Sequence, residues 1–178
     1  MSEDKKFKDS YVLCIGGMNV DKKVQLLENL VLETSNPVVS SLSAGGVARN
    51  IAENLGRLGL SVKMLSVAGD DESFTWLERE TKDIIDFSLV DRLSGKITSN
   101  YTAILDLQGD MCLALADMTI CEEMTPQWLT SHEEAVKEAT LVIADLNLPQ
   151  ETLAALIQLT NEGKIPLAII PVSGPKMK

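Results

Sequence analysis

Residues 43–59 read SAGGVARNIAENLGRLG, two adjacent glycines followed by a helical pattern. Val47, Ile51, Leu55 and Leu58 recur at i, i+4, i+8 and i+11, which lays one apolar stripe along a helix that Gly59 stops. Glycine disfavours a helix interior, so Gly45 and Gly46 belong to the mouth of the helix, where a missing Cβ permits close approach. Two readings are open. In one, the free N–H groups of the helix start donate to the oxygens of a polar small molecule, and the Asn50 side-chain amide points to the same place. In the other, the glycines serve a tight turn and close helix–strand packing. Arg49 reads as a surface residue. The spacing is neither GxGxxG nor the GxxxxGK pattern of a phosphate loop, so Rossmann and Walker readings are set aside.

Outward from this helix, strands and helices alternate. YVLCIGG, SVKMLSVAG, TLVIAD and IPLAIIPVSG are short continuous apolar runs, the pattern of strands buried on both faces of a parallel sheet. Helices are expected at DDESFTWLERETK, capped by Asp70 or Asp71, and at TPQWL, with Thr125 capping and Pro126 in the first position. SHEEAVKEA carries a capping box, Ser131 with Glu134, and Gly163 ends PQETLAALIQLTNEG. KKVQLLENLVLE partly alternates and reads as a β ribbon, PVVSSLS as a short strand. ITSNYTAILDLQGDMCLALAD reads as a hairpin around Gly109-Asp110. The segments 22–43 and 96–117 therefore interrupt the alternation as an antiparallel excursion, a lid beside an α/β, mostly parallel sheet. No repeat or linker divides residues 1–178. The final strand has no helix after it to cover it, so the chain is expected to be cut short at Lys178.

Composition removes several functions. The chain is 45% apolar but only 4% aromatic, so an aliphatic core is expected. A net charge of −10 and a pI near 4.6 leave no electrostatic footprint for nucleic acid or an anionic membrane. Cys14, Cys112 and Cys121 are odd in number and widely spaced, and His132 is the sole histidine of the sequence. That set suits neither a zinc site nor a disulfide framework, and points to reduced cysteines in a cytoplasmic protein. The longest apolar stretch, IPLAIIPV, falls far short of the roughly 18 residues that span a bilayer.

Two further polar clusters sit where open α/β sheets bind ligands, after the strand ends. In GGMNVD, Asn19 offers a donor and an acceptor and Asp21 a carboxylate, a pair suited to a vicinal diol. Its alternative is a Gly16-Gly17 turn followed by a solvated loop acid. In ADLNLP, Asp145 and Asn147 end a strand, and an ordinary cap before Pro149 is the alternative. No nucleophile–base–acid set can be assembled, and His132 reads as a solvated residue.

Together, GGMNVD, SNPVVSSLSAGGVARNIAENLGRLG, VAGDD, TSNYTAILDLQGDMCLALADM, ADLNLP and PVSGPK resemble the ribokinase-like (PfkB) carbohydrate kinases, and among them the pseudouridine kinases. The resemblance implies a three-layer α/β/α sheet with a small β lid, often a lid-to-lid homodimer. It implies transfer of phosphate from ATP, with Mg2+, to a sugar or nucleoside hydroxyl, here the 5′-hydroxyl of pseudouridine. By resemblance Asn19 and Asp21 hold the ribose hydroxyls, and Gly45, Gly46 and Asn50 line the same pocket. Thr98 and Tyr101 lie on lid strands that close over the substrate. Asn147 takes a substrate-side position, and Lys176 matches a lysine near the transferred phosphate. The family's DTxGAGD-type motif, which supplies the catalytic Asp and an anion hole, does not occur in residues 1–178, and Ile170 stands where relatives carry an acid. No residue of the chain is therefore assigned as catalytic, and the catalytic Asp is expected beyond Lys178, together with most of the ATP and Mg2+ site. The expectation is a substrate-binding half that is inactive alone. Its rivals are another PfkB kinase (ribokinase, adenosine or inosine kinase, ketosugar kinase) and a truncated nucleoside-binding protein without turnover, whose reading frame would end at Lys178.

Overall fold

The computed structural model describes residues 10–172. In chain order the strands are β1 (Val12–Ile15), β2 (Asn19–Leu26), β3 (Val38–Gly45), β4 (Val62–Gly69), β5 (Asp86–Leu93), β6 (Asn100–Leu105), β7 (Met111–Asp117), β8 (Leu141–Asp145) and β9 (Leu167–Ile170). The helices are α1 (Val47–Arg57), α2 (Glu72–Thr81), α3 (Pro126–Ser131), α4 (Glu133–Glu138) and α5 (Gln150–Gly163), with a 3-10 turn at Thr119–Glu123.

Five strands form the central sheet in the order β5-β4-β1-β8-β9, and every pair is parallel. Along β1 alternate residues feed two cores. Leu13 and Ile15 join Leu129, Val136 and Leu156 beneath α3, α4 and α5, while Val12 and Cys14 join Ala48, Ala52 and Phe74 beneath α1 and α2. Burial of both faces is why β1 is a continuous apolar run, and the result is a three-layer α/β/α arrangement. The chain leaves β1 toward β4 and β5, then returns to β8 on the other side of β1. The direction of the sheet thus switches between β1 and β8, and the carboxyl ends of these two strands are where open sheets of this kind form a ligand crevice.

A second sheet runs β3-β2-β6-β7. It contains two antiparallel pairs, β2 with β3 and β6 with β7, joined by a parallel ladder between β2 and β6. The row Ser43, Asp21, Tyr101, Ala116 crosses one face, and the adjacent row Leu42, Lys22, Thr102, Leu115 crosses the other. The ribbon expected through Glu33 ends at Leu26, where residues 27–37 leave the sheet.

The sequence pattern holds at two caps and fails at several positions. Asp71 caps α2 by accepting from the Phe74 N–H, and Thr125 caps α3 by accepting from that of Trp128. The capping box at Ser131 does not form: the residue is still inside α3, its Oγ donates to the Trp128 carbonyl, and α4 starts behind His132. His132 is not solvated but half-buried, its ring 5.2 Å from that of Trp128. Gly163 is the last residue of α5, and Lys164 rather than glycine takes the left-handed turn at φ 54°. Leu58 drops out of the apolar stripe of α1, being 79% exposed beyond the helix end. Ala48 and Ala52 are its fully buried apolar positions instead, because small side chains let the helix lie close on the sheet. The sequence reading also passes over β5. Its DFSLVDRL alternates between buried Phe87 and exposed flanks, as an edge strand does.

Candidate active site at the switch of the sheet

The crevice brings three chain segments together, and a buried carboxylate ties them. Asp145, at the end of β8, is fully buried. It accepts hydrogen bonds from the Gly17 N–H at 3.2 Å, the Ala48 N–H at 3.0 Å, and the Asn147 N–H and Nδ2 at 2.9 and 3.0 Å. One acid thus holds the β1–β2 turn, the first turn of α1 and the β8–α5 loop. Burial raises its pKa, against the lowering pull of those donors.

The glycines are explained by this packing. A Cβ on Gly16 would lie 2.2 Å from the Asp145 carboxylate, and one on Gly46 (φ +98°) would lie 2.4 Å from the Gly17 carbonyl oxygen. On Gly45 it would meet the Asp21 carboxylate at 2.5 Å. Close approach of chain to chain therefore accounts for the bare helix mouth, the packing alternative raised by the sequence. One donor of that mouth, the Ala48 N–H, is satisfied by Asp145.

Asp21 behaves differently. It is half-buried, and its Oδ1 accepts from Asn19 Nδ2 at 2.5 Å. Burial raises its pKa, opposed by the Asn19 amide and by the charges of Arg49 and Lys23. Asn19 is 5% exposed and pairs in register with Gly45, so its amide and the Asp21 carboxylate meet at the edge of the helix mouth. Tyr101 lies next to Asp21 on the same face of the second sheet, and its hydroxyl sits 3.7 Å from Met111 Sδ. Asn147, besides its bonds to Asp145, lines an open groove with Met118, Cys121, Leu146, Leu148 and Pro149.

Arg49 is a correction: it is not a surface residue but 2% exposed. Its guanidinium donates to the Gly45 carbonyl at 3.0 Å, the Ala44 carbonyl at 3.2 Å and Glu53 at 2.6 Å, and also to Asn50 Oδ1. The sequence signal is weak, because the acceptors are the last carbonyls of a strand turning into a helix. Asn50 itself is exposed in the first turn of α1.

Thr98 is not brought into this group. It is 1% exposed, with its Oγ1 donating to Asp71 at 2.7 Å and accepting from the Gly69 N–H at 3.0 Å. It fixes the entry to β6 rather than presenting a hydroxyl to the crevice. Lys176, expected near the transferred phosphate, and Lys178, beyond which the catalytic Asp is expected, both lie outside the described residues. Among the described residues, no three His, Cys, Asp or Glu side chains are grouped to hold a metal ion, and no helix is long and apolar enough to cross a membrane.

A parallel sheet with a switch of direction between β1 and β8, a second sheet beside it, and an Asn–Asp pair at a glycine-packed corner define an open α/β protein with a candidate site at the switch of the sheet. Residues 9–178 match the pfkB family of carbohydrate kinases, and the chain belongs to that family. It is 35% identical over 169 residues to a pseudouridine kinase of Escherichia coli, covering 93% of this chain and 53% of that protein. It is 36% identical to an uncharacterized sugar kinase of the same organism, covering 93% and 46%. A carbohydrate kinase structure from Agrobacterium tumefaciens superposes with a TM-score of 0.83 at 30% identity, covering 94% of this chain and 55% of that one. Arabidopsis thaliana ribokinase, solved with ribose and ATP, shares the fold at a TM-score of 0.82 and 14% identity, over 90% and 53%. The chain spans about half the length of the curated relatives it matches.

Proposed function

We propose that this chain is the substrate-binding half of a kinase that phosphorylates the 5′-hydroxyl of a nucleoside, with pseudouridine as substrate. The observation that carries the reading is the Asn19–Asp21 pair against Gly45, a corner where an amide and a carboxylate stand side by side. The 35% identity to a pseudouridine kinase over nearly the whole chain supports the substrate.

In this reading Asp21 and Asn19 bind two ribose hydroxyls, Asn50 and Asn147 fix the sugar from the α1 and β8 sides, and the backbone of Gly45 and Gly46 forms the floor. Tyr101 closes over the base from the second sheet, which serves as a lid, and Thr98 anchors that lid at its root. No described residue is assigned as the catalytic Asp. ATP, with Mg2+, supplies the phosphoryl group when bound, and no residue described here is assigned to either. What the present residues contribute is orientation of the nucleoside, so that its 5′-oxygen points away from the Asp21 corner, and exclusion of water, which would otherwise compete as acceptor. Positioning of this kind is a large share of phosphoryl transfer. Exposed Leu42, Leu113 and Leu115 on the lid support a homodimer formed through it. The location is read as cytoplasmic.

The test is an ATP-consumption assay of the full protein with pseudouridine, uridine, inosine, guanosine and ribose. The expected result is turnover fastest with pseudouridine, and none by residues 1–178 alone. Guanosine and inosine are included because a guanosine-inosine kinase of Exiguobacterium acetylicum is 26% identical over 157 residues. Preference for those purine nucleosides, or for free ribose, would replace the substrate named here. Turnover by residues 1–178 alone would overturn the division of labour.

A further inference from the structure

Asn50 can present either a donor or an acceptor to a ligand, because its amide has both. Its neighbour decides which. A guanidinium carries donors only and never loses its proton. Arg49 holds the Asn50 amide by its oxygen while gripping the Ala44 and Gly45 carbonyls, and Glu53 takes another of its donors. Turning the Asn50 amide over would bring N–H against N–H. Among the described residues no hydrogen-bond partner faces Asn50 Nδ2. Asp21 has the opposite polarity: its ionised carboxylate only accepts, and with Oδ1 taken by Asn19 it has Oδ2 to offer.

We infer that Arg49 is a positioning residue that sets the hydrogen-bond polarity of the sugar pocket: Asn50 offers only donors, Asp21 only acceptors. Resting on the nucleoside reading above, this assigns the ligand's groups. The atom opposite Asn50 is an oxygen acting as acceptor, and the group opposite Asp21 is a hydroxyl giving its proton. A ligand with an amine or other obligate donor facing Asn50 is rejected, since both partners would then be donors.

The experiment has a ligand-free arm and a ligand arm, both on the full protein. In the first, the Asn50 side-chain amide is followed by NMR in the wild type and in Arg49→Lys, which keeps the charge but loses the planar fork. The expected result is a rigid Asn50 amide in the wild type and a mobile one in the variant. An amide equally rigid in both overturns the inference, whatever the substrate. In the second arm, pseudouridine is titrated into the wild type, Asn50→Ala and Asn50→Asp, whose position is exposed and tolerant. Asn50→Asp turns the donor into an acceptor, so it should bind on the order of tenfold more weakly than Asn50→Ala. Equal or tighter binding by Asn50→Asp overturns the polarity. Arg49→Lys should raise KM on the order of tenfold and leave kcat within about twofold, whereas a merely less stable protein keeps its KM. If no nucleoside binds the wild type but the Arg49→Lys amide is mobile, the nucleoside reading fails and the role of Arg49 stands.

Discussion

Asp145 and Asp21 each lie against a glycine, and they have opposite fates. Asp145 presses on Gly16 and is fully buried, its oxygens occupied by N–H groups from three segments. Asp21 presses on Gly45, is half-buried, and among the described residues receives one side-chain donor, Asn19. The same residue type in nearly the same packing is, in one place, consumed by the protein's own backbone and, in the other, left with capacity. A buried group whose bonds are all internal holds a fold, whereas one with acceptors to spare at a crevice is equipped for a ligand.

The sharpest way to break that contrast is to remove each acid in turn. Asp145→Ala strands several buried N–H groups and should cost about 3–5 kcal/mol of stability, measured by urea unfolding. Asp21→Ala should cost below about 1 kcal/mol in the same assay. Similar losses for the two would erase the distinction. Gly46→Ala adds a Cβ at φ +98° against the Gly17 carbonyl and should cost about 2–4 kcal/mol.

A smaller effect sharpens the picture at the root of the second sheet. Burial pushes the Asp71 carboxyl up, but the N–H groups of Thr98 and Phe74 and the Thr98 hydroxyl outweigh this and hold it below the ordinary range. A depressed folded pKa stabilises above the unfolded value, and that stabilisation is lost as pH falls through the folded one. Asp71→Ala should therefore cost about 1–2 kcal/mol at pH 7, and the gap from wild type should close in strong acid. The smallest change is chemical. Burial and then the nearby Asp145 push the Cys14 thiol up to about 12, so in the native protein iodoacetamide should modify exposed Cys112 and spare Cys14.

What the sequence discloses follows the range of the interactions. β1, β4 and β8 are legible because burial on both faces writes itself as an unbroken apolar run. β5 is not, because an edge strand mixes Asp86, Ser88, Asp91 and Arg92 with its apolar residues. Asn19 and Asp21 sit two residues apart, so the pair can be read directly, but the reading leaves them in the turn after β1, whereas both belong to β2. Of the partners of Asp145, Asn147 is two residues on, but Gly17 and Ala48 come from 128 and 97 residues away, and no local pattern announces them. Arg49 misleads for a related reason: one turn of helix says surface, and the carbonyls that bury it belong to the strand before. Thr98 lies before β6 rather than on a strand of the second sheet, and Asp71 claims its hydroxyl.

The corner at Asp21 is tested most directly by calorimetric titration of pseudouridine into the full protein and its Asp21→Asn variant, across a range of pH. Because burial raises the Asp21 pKa, its protonation begins above the ordinary aspartate value of about 3.9, and wild-type affinity should weaken there as pH falls. Asp21→Asn should bind at least about tenfold more weakly at pH 7, without that acid loss and with stability unchanged. Full affinity in Asp21→Asn at neutral pH would contradict the account.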